Sequence, residues 1–236
     1  NLPSFYLMKL DENLVPKVVF TDCYLQVYRG LVSPNILEAH ASGLQKAPAK
    51  YPISRLEIKQ WILNPGPLVH QIDNVVNGVL PRTLFIAFVN HSAFNGDFQK
   101  NPFHFIHCNI SQIAAFVDGQ QYPRVAYTPN FSSDLFDREF YTIHDVLDQT
   151  STDATCTLTR ENFADGYTFF AFELEPESLG ALQRSLAIVN PVRYGNVRLE
   201  IKLENTLEES VTALTFCEFD SLIEITGEGE ISTNYF

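Results

Sequence analysis

Between Val197 and Leu203 the chain reads V-R-L-E-I-K-L, with Val197, Leu199, Ile201 and Leu203 on one side and Arg198, Glu200 and Lys202 on the other. A period of two predicts a half-buried antiparallel strand, one face on a core and one in water. The pentapeptide Arg-Leu-Glu-Ile-Lys recurs at 55–59, where the same pattern predicts Leu56 and Ile58 pointing inward. The flanks of the two copies differ, which favours two strands in similar surroundings over an internal duplication. Alternation and β-branched or aromatic enrichment predict further strands over Phe5–Leu10, Val18–Tyr28, Leu84–Val89, Phe105–Val117, Gln121–Ala126, Tyr167–Leu174 and Val211–Ile225. Tyr167–Leu174 (YTFFAFEL) is apolar on both faces, so a second sheet or a subunit neighbour is expected to cover it.

Helical spacing interrupts this pattern twice. Ser33-Pro34 reads as an N-cap followed by proline at the first helical position, and the helix runs to about Lys46 with Leu37, Ala41 and Leu44 on one side. Ser132 or Ser133 caps a second helix, Asp134–Asp148, with Phe136, Phe140, Ile143 and Leu147 at helical spacing and Asp134 and Asp137 in the first turn. Asp118-Gly119 between apolar runs predicts a hairpin, because a type I′ turn needs positive φ at both central residues. Turn formers fall between strands at 64–67, 77–78, 95–96, 101–102 and 165–166, and no stretch reads as an interdomain linker. The prediction is all-β: one antiparallel sandwich with short inserted helices, a jelly roll.

The 236 residues suit one large all-β domain as easily as two small ones, and 45% hydrophobic against 19% charged residues supports a substantial core. With 19 Phe and 10 Tyr, the chain carries aromatic area suited to strands and extensive interfaces. A net charge of −12 argues against direct nucleic-acid binding by this segment and against an anionic membrane surface. No apolar run approaches the ~20 residues of a membrane span. Cys23, Cys108, Cys156 and Cys217 form no CxxC, and Cys23 and Cys217 alternate with apolar neighbours. They read as buried small apolar side chains in a reducing compartment, with a disulfide as the alternative. The chain starts at Asn1 and leads into FYLMKL, which is expected of a piece of something longer.

Chemistry is sparse. P-loop, Rossmann glycine, G-x-S-x-G, H-E-x-x-H and EF-hand patterns are missing. His104 and His107 resemble a metal pair, but side chains three apart on an extended segment point to opposite faces. His40 and His144 read as packed helix histidines; His70 and His91 fall in turns without an evident partner. Asp145 and Asp148, Glu173 and Glu175, and Glu208 and Glu209 read as solvated faces. The sequons at Asn90, Asn109 and Asn130 read as chance, Asn109 lying inside a predicted strand. No catalytic, cofactor-binding or metal-ligating residue is assigned. The densest block, Ala93–Pro123, packs Phe94, Phe98, Phe103, His104 and Phe105 around turn formers before the hairpin, as if built for shape.

An ordered series carries a resemblance: 37–59 (LEAHASGLQKAPAKYPISRLEIK), 78–105 (GVLPRTLFIAFVNHSAFNGDFQKNPFHF), 114–123 (AAFVDGQQYP), 161–176 (ENFADGYTFFAFELEP) and 195–225 (GNVRLEIKLENTLEESVTALTFCEFDSLIEI). Together they resemble the C-terminal half of the major capsid protein of Polinton/Maverick elements and adintovirus-like viruses, over most of residues 15–225. The resemblance implies a double jelly roll of which residues 1–236 form the second barrel, another barrel preceding Asn1. It also implies homotrimeric, pseudo-hexameric capsomers tiling an icosahedral shell around DNA, with penton and minor capsid proteins as partners, in a virion made in the host cytoplasm or nucleus. Ser132–Thr159 and Ser178–Arg193 are the least familiar stretches, where lineage-specific assembly would lie. Alternatives are a free-standing jelly-roll binding module, lectin-like or domesticated from a capsid gene, and a single jelly-roll penton protein. Phe98, Phe103 and Phe131 are candidate inter-barrel or intersubunit contacts, the alternative being that they cap their own sandwich. Trp61 is a candidate for packing or interface rather than for a glycan site.

Overall fold

The computed structural model describes residues 3–9, 11, 13–147, 149–150, 157–174 and 192–234. Asn1, Leu10, Asp148, Cys156, Glu175 and most of Ser178–Arg193, all named above, lie outside the described residues. Nine strands are present among them: β1 (Ala49–Leu63), β2 (Val69–Val79), β3 (Thr83–Asn90), β4 (Ile110–Val117), β5 (Gln120–Tyr127), β6 (Phe169–Glu173), β7 (Tyr194–Leu203), β8 (Val211–Ile225) and β9 (Ile231–Asn234). One sheet has the order β1-β8-β3-β6, with β9 added to β8; the other has the order β2-β7-β4-β5. All the ladders between these strands are antiparallel. β1 lies beside β8, β2 beside β7, β3 beside β6 and β4 beside β5, with the pairs alternating between two facing sheets: this is a jelly roll.

The core lies between the sheets. Leu84, Ile86 and Phe88 of β3, Phe170 and Phe172 of β6 and Ala213 and Cys217 of β8 meet Ile72 and Val76 of β2, Ile113 and Ala115 of β4 and Val197, Leu199 and Ile201 of β7. Period-two alternation therefore places β7 as expected. The expected Asp118-Gly119 turn closes β4 onto β5, with φ of 49° and 85° and Val117 opposite Gln120. The Asp118 carboxylate accepts the Asn196 backbone N–H at 2.8 Å, tying the hairpin to the start of β7.

The two copies of Arg-Leu-Glu-Ile-Lys face opposite ways. In β7, Leu199 and Ile201 are fully buried; in β1, Leu56 and Ile58 are 57% and 59% exposed. This corrects the expectation that Leu56 and Ile58 point inward. The register with β8 sets the parity: Arg55 lies opposite Phe219 and stacks its guanidinium over that ring at 4.5 Å, and Lys59 donates to the Val75 carbonyl at 2.9 Å. Arg55, Glu57 and Lys59 thus take the inward positions at the edge of the sandwich, and the leucine and isoleucine take the outer face.

Helices cover part of that outer face. α1 (Pro3–Tyr6) and α2 (Pro34–Leu44) precede the sandwich; α3 (His91–Gly96) follows β3; α4 (Asp137–Val146) and α5 (Arg160–Ala164) lie between β5 and β6. α4 and α5 pack Phe136, Ile143, Val146 and Phe163 on Ala171, beside Phe85 and Phe169. The cover expected over Tyr167–Leu174 is therefore the second sheet on one side and helices of the same chain on the other. α4 starts three residues later than predicted: Phe131–Ser133 forms a 3₁₀ turn and Asp134 is left-handed at φ 58°, so Asp137 and Glu139 supply the acidic first turn. Arg160 holds this entry, donating to Asp137 at 2.7 Å and Asp134 at 2.8 Å while lying 4.4 Å from the Phe136 ring.

Two strand expectations fail and a third is shortened. Phe5–Leu10 begins in α1, where Pro3 starts the helix and Phe5 meets Phe94 and Phe103 edge-on. Phe105–Val117 forms a ladder only from Ile110, because Cys108 and Asn109 have positive φ (51° and 47°), so Asn109 precedes the strand. Val18–Tyr28 joins no ladder among the described residues, and every residue from Lys17 to Gly43 is exposed. Cys23 is accordingly exposed rather than buried, and His40 is exposed rather than packed, since nothing in α2 is buried. Ser33 makes no side-chain cap bond. Asn77-Gly78, read as a turn, lies inside β2, which alternation missed because a register shift between Ile72 and Val76 breaks its period.

Candidate assembly surface

Among the described residues two apolar surfaces remain open. On the outer face of the larger sheet the register aligns Ile58, Phe216, Phe85 and Ala171 in one row. α4 and α5 cover the β6 end of this row. Toward β1 it opens into a groove of about 620 Å³ lined by Leu56, Phe85, Leu147, Tyr167, Phe169 and Phe216 among others. Ile62 continues the exposed stripe at 55%, and Leu147 and Tyr167 rim the groove at 41% and 51%. Among the described residues β1 ends its sheet, so an unpaired edge runs beside this stripe. Long open edges with apolar side chains are pairing sites unless something covers them.

The second surface is residues 14–32. Phe20, Leu25, Tyr28 and Leu31 are 85%, 87%, 97% and 108% exposed, and Leu14, Val15, Val19, Tyr24 and Val27 are exposed with them. Both ends of the segment are held by the sandwich. At one end the Lys9 backbone N–H donates to the Phe98 carbonyl at 3.1 Å, and the Lys9 ammonium lies 5.2 Å from the Phe98 ring. At the other end Leu44 passes so close to Gly227 that a Cβ there would lie 3.1 Å from the Leu44 carbonyl oxygen.

The four aromatics singled out from the sequence are not gathered in one place. Phe131 stacks between His107 (4.3 Å) and Phe136 (5.2 Å) and joins the main core to the cluster under α4. Trp61 is half-buried against the main core. Phe98 lies under Lys9, and Phe103 packs on Phe5 while 55% exposed. Sequence reading missed Leu56, Ile58 and Ile62 as surface residues; their partner's register, not their own pattern, turns them outward.

Titratable groups are spent on structure. His107 accepts from the Asn109 N–H at 3.0 Å through Nδ1, and burial lowers its pKa against the pull of Asp165. His104 lies against Gly166 instead, so the two histidines have separate surroundings. His70 is buried inside β2 rather than placed in a turn, and burial lowers its pKa. His91 opens α3, within 2.9 Å of both Thr212 Oγ1 and Asn95 Nδ2. Burial pushes the Cys108 and Cys217 thiols up to about 12 and 11. Glu139 accepts from the Thr128 N–H at 3.1 Å, and burial raises its pKa. Among the described residues no three His, Cys, Asp or Glu side chains converge on a metal position, and no helix is long and apolar enough to cross a membrane. A polar concavity of about 1,170 Å³ beside α3 is crossed by its own bonds, Asn90 and Lys100 both donating to Glu209 (2.8 and 3.1 Å) and lowering its pKa.

No family model matches the chain. It is 23% identical over 192 residues to the uncharacterized protein F54H12.2 of Caenorhabditis elegans, covering 80% of this chain and 44% of that one. The chain therefore spans less than half the length of this relative. Among solved structures, that of the Sputnik virophage is 11% identical with a TM-score of 0.43, over 80% of this chain and 39% of the other. The PBCV-1 virus capsid is 10% identical (TM-score 0.47; 80% and 52%), and the mavirus major capsid protein 12% identical (TM-score 0.40; 80% and 41%).

Proposed function

We propose that this chain is a structural capsid subunit and not an enzyme: the C-terminal barrel of a longer double jelly-roll major capsid protein of the Polinton/Maverick kind. The observation that carries the reading is the strand order, β1-β8-β3-β6 facing β2-β7-β4-β5, in which the ordered motifs of 37–59, 78–105, 114–123, 161–176 and 195–225 fall on the strands and their connections. Jelly rolls also serve as lectin domains, but Trp61, the one indole, packs on the chain's own core. The exposed stripe of β1 and residues 14–32 supply the apolar area that a shell lattice consumes, contacts in such assemblies commonly exceeding ~2,000 Å². Three copies of the longer chain would form a pseudo-hexameric capsomer, and capsomers would tile a shell with penton and minor capsid proteins at its special positions. The net charge of −12 leaves DNA contact to other components.

Light scattering and negative-stain microscopy of the chain expressed from its complete reading frame test this. Threefold capsomers or icosahedral particles are expected. A protein that stays monomeric at milligram-per-millilitre concentration and binds a glycan would overturn it.

A further inference from the structure

The free edge of β1 carries a charge series that selects its own partner. Among the described residues no strand pairs with that edge. Arg55, Glu57 and Lys59 alternate in sign on the inward side, and Leu56 and Ile58 lie on the outer face. Two antiparallel copies of this strand fit together in few registers. Centred on Glu57, they set Glu57 against Glu57 and Arg55 against Lys59, so like charges lie directly opposite. Centred on Leu56, they set Arg55 against Glu57, but Pro52 then falls inside the ladder opposite Gln60. A proline in an edge strand turns its missing N–H side outward and cannot join a new ladder there. Centred on Ile58, they set Glu57 against Lys59 on both sides of the axis and Arg55 against the neutral Trp61. That ladder runs over residues 53–63, from just after Pro52 to the last residue of β1. Centres nearer the ends shorten it.

The packing of the outer face selects the same residue. Ala171, Phe85, Phe216 and Ile58 form one row across β6, β3, β8 and β1, and Ile58 stands at its open end. A two-fold axis at Ile58 runs this row into the matching row of a second copy. It also brings the second strand up to the open side of the groove lined by Leu56, Phe85 and Phe216. Lys59 gives one N–H to the Val75 carbonyl at 2.9 Å, which leaves two for a facing carboxylate. A ladder of this length supplies about ten backbone hydrogen bonds, as many as a standard protein interface carries.

We propose that β1 forms a two-fold contact between copies of this chain, its edge pairing antiparallel with the β1 edge of a second copy and centred on Ile58. A second copy is the occupant because one symmetry operation completes both the charge series and the apolar row. A contact of this kind presents the same patch on both partners, whereas copies around a threefold axis meet head to tail. The contact therefore joins neighbouring capsomers and not the three copies of one. For that placement the inference rests on the proposed capsid role.

The test is Ile58→Cys in a Cys23→Ser and Cys156→Ser background, made from the complete reading frame. At the axis the two Cα atoms of position 58 lie about 4.5–5.5 Å apart, within the span of a disulfide. Copper-phenanthroline oxidation should give a cross-linked pair on non-reducing gels, at least about tenfold more than Leu56→Cys, whose two copies lie about 14 Å apart. Glu57→Lys or Lys59→Glu, added to the Ile58→Cys chain, sets two like-charge pairs across the axis and should cut the cross-link about tenfold. Mixing those two variants restores opposite charges at both pairs and should recover it. No cross-link at 58, equal cross-linking at 56, or no recovery in a mixture of folded variants overturns the proposal. So does a thiol at 58 that is shielded from maleimide yet never cross-links, which would assign the edge to another partner. Capsomers without the cross-link would sink this contact and leave the capsid reading. The cross-linked pair without capsomers would sink the capsid reading and leave the contact.

Discussion

Phe163→Ala is the sharpest test of how the outer face is built. Phe163 is fully buried at the centre of an aromatic cluster, 5.5 Å from Phe136, 5.8 Å from Phe140 and 6.2 Å from Phe131 between ring centroids. Its backbone carbonyl accepts from Thr168 Oγ1 at 2.6 Å, so the site is pinned and cannot collapse freely. Removing the ring loses roughly 2–3 kcal/mol of transfer free energy, and the cavity among three rigid rings adds about 1–2 kcal/mol more, a total of about 3–5 kcal/mol. Phe163→Leu keeps most of the volume and should cost less than about 1.5 kcal/mol. Urea denaturation followed by circular dichroism measures both, with an unchanged slope required for the comparison. A cost below about 1 kcal/mol for Phe163→Ala would mean that α4 and α5 are not packed on β6 as described.

Ile58→Asp removes an exposed isoleucine; the sandwich should keep its stability within about 0.5 kcal/mol, while under the proposed capsid role the yield of capsomers from the complete reading frame falls by an order of magnitude in sedimentation profiles. An unchanged yield would remove the β1 stripe from the assembly surface. Burial raises the Glu139 pKa, so the native state holds a proton that the unfolded chain has released, and stability falls as pH rises from the unfolded value through the folded one. Glu139→Gln keeps the acceptor for Thr128 and should flatten that decline and stabilise the neutral protein; parallel melting curves for both proteins from about pH 4 to 8 would refute the buried-carboxylate account. A Cβ at Gly195 would lie 2.5 Å from the Asp118 carboxylate, so Gly195→Ala should cost about 1–2 kcal/mol, and less in an Asp118→Ala background. Additive costs in that cycle would show that the hairpin carboxylate does not crowd the start of β7.

Where both faces of a strand are decided by its own chain, the sequence is a sufficient guide. β7 has clean alternation and lies in the middle of its sheet, and Asp118-Gly119 carries its own turn chemistry. β1 has the same pentapeptide as β7, yet its parity is imposed by β8, about 160 residues away. The alternation of Val18–Tyr28 is real, but a strand needs a neighbour, and none stands beside it in this sandwich. β2 was hidden by Gln71, Asp73, Asn74 and Asn77, and Asn74 is left-handed at φ 55° where the register shifts. α3 and α5 have six and five residues, too few for a helical period to be recognised. The assembly surface was illegible for the same reason as the orientation of β1: its rows are assembled from β1, β3, β6 and β8, which are distant in sequence.

β8 pairs with β1 along its whole length, with β3 over Val211–Glu218 and with β9 over Leu222–Ile225. A ribosome finishing β1 at Leu63 has yet to make the residues up to Val211, roughly 10–30 s of synthesis at common elongation rates. Throughout that interval β1 has no ladder partner, and the Ile58–Phe216–Phe85 row does not exist. The nascent chain thus lacks this row, and the groove beside it, until its final long strand is inserted. Any association through that row therefore follows closure of the barrel.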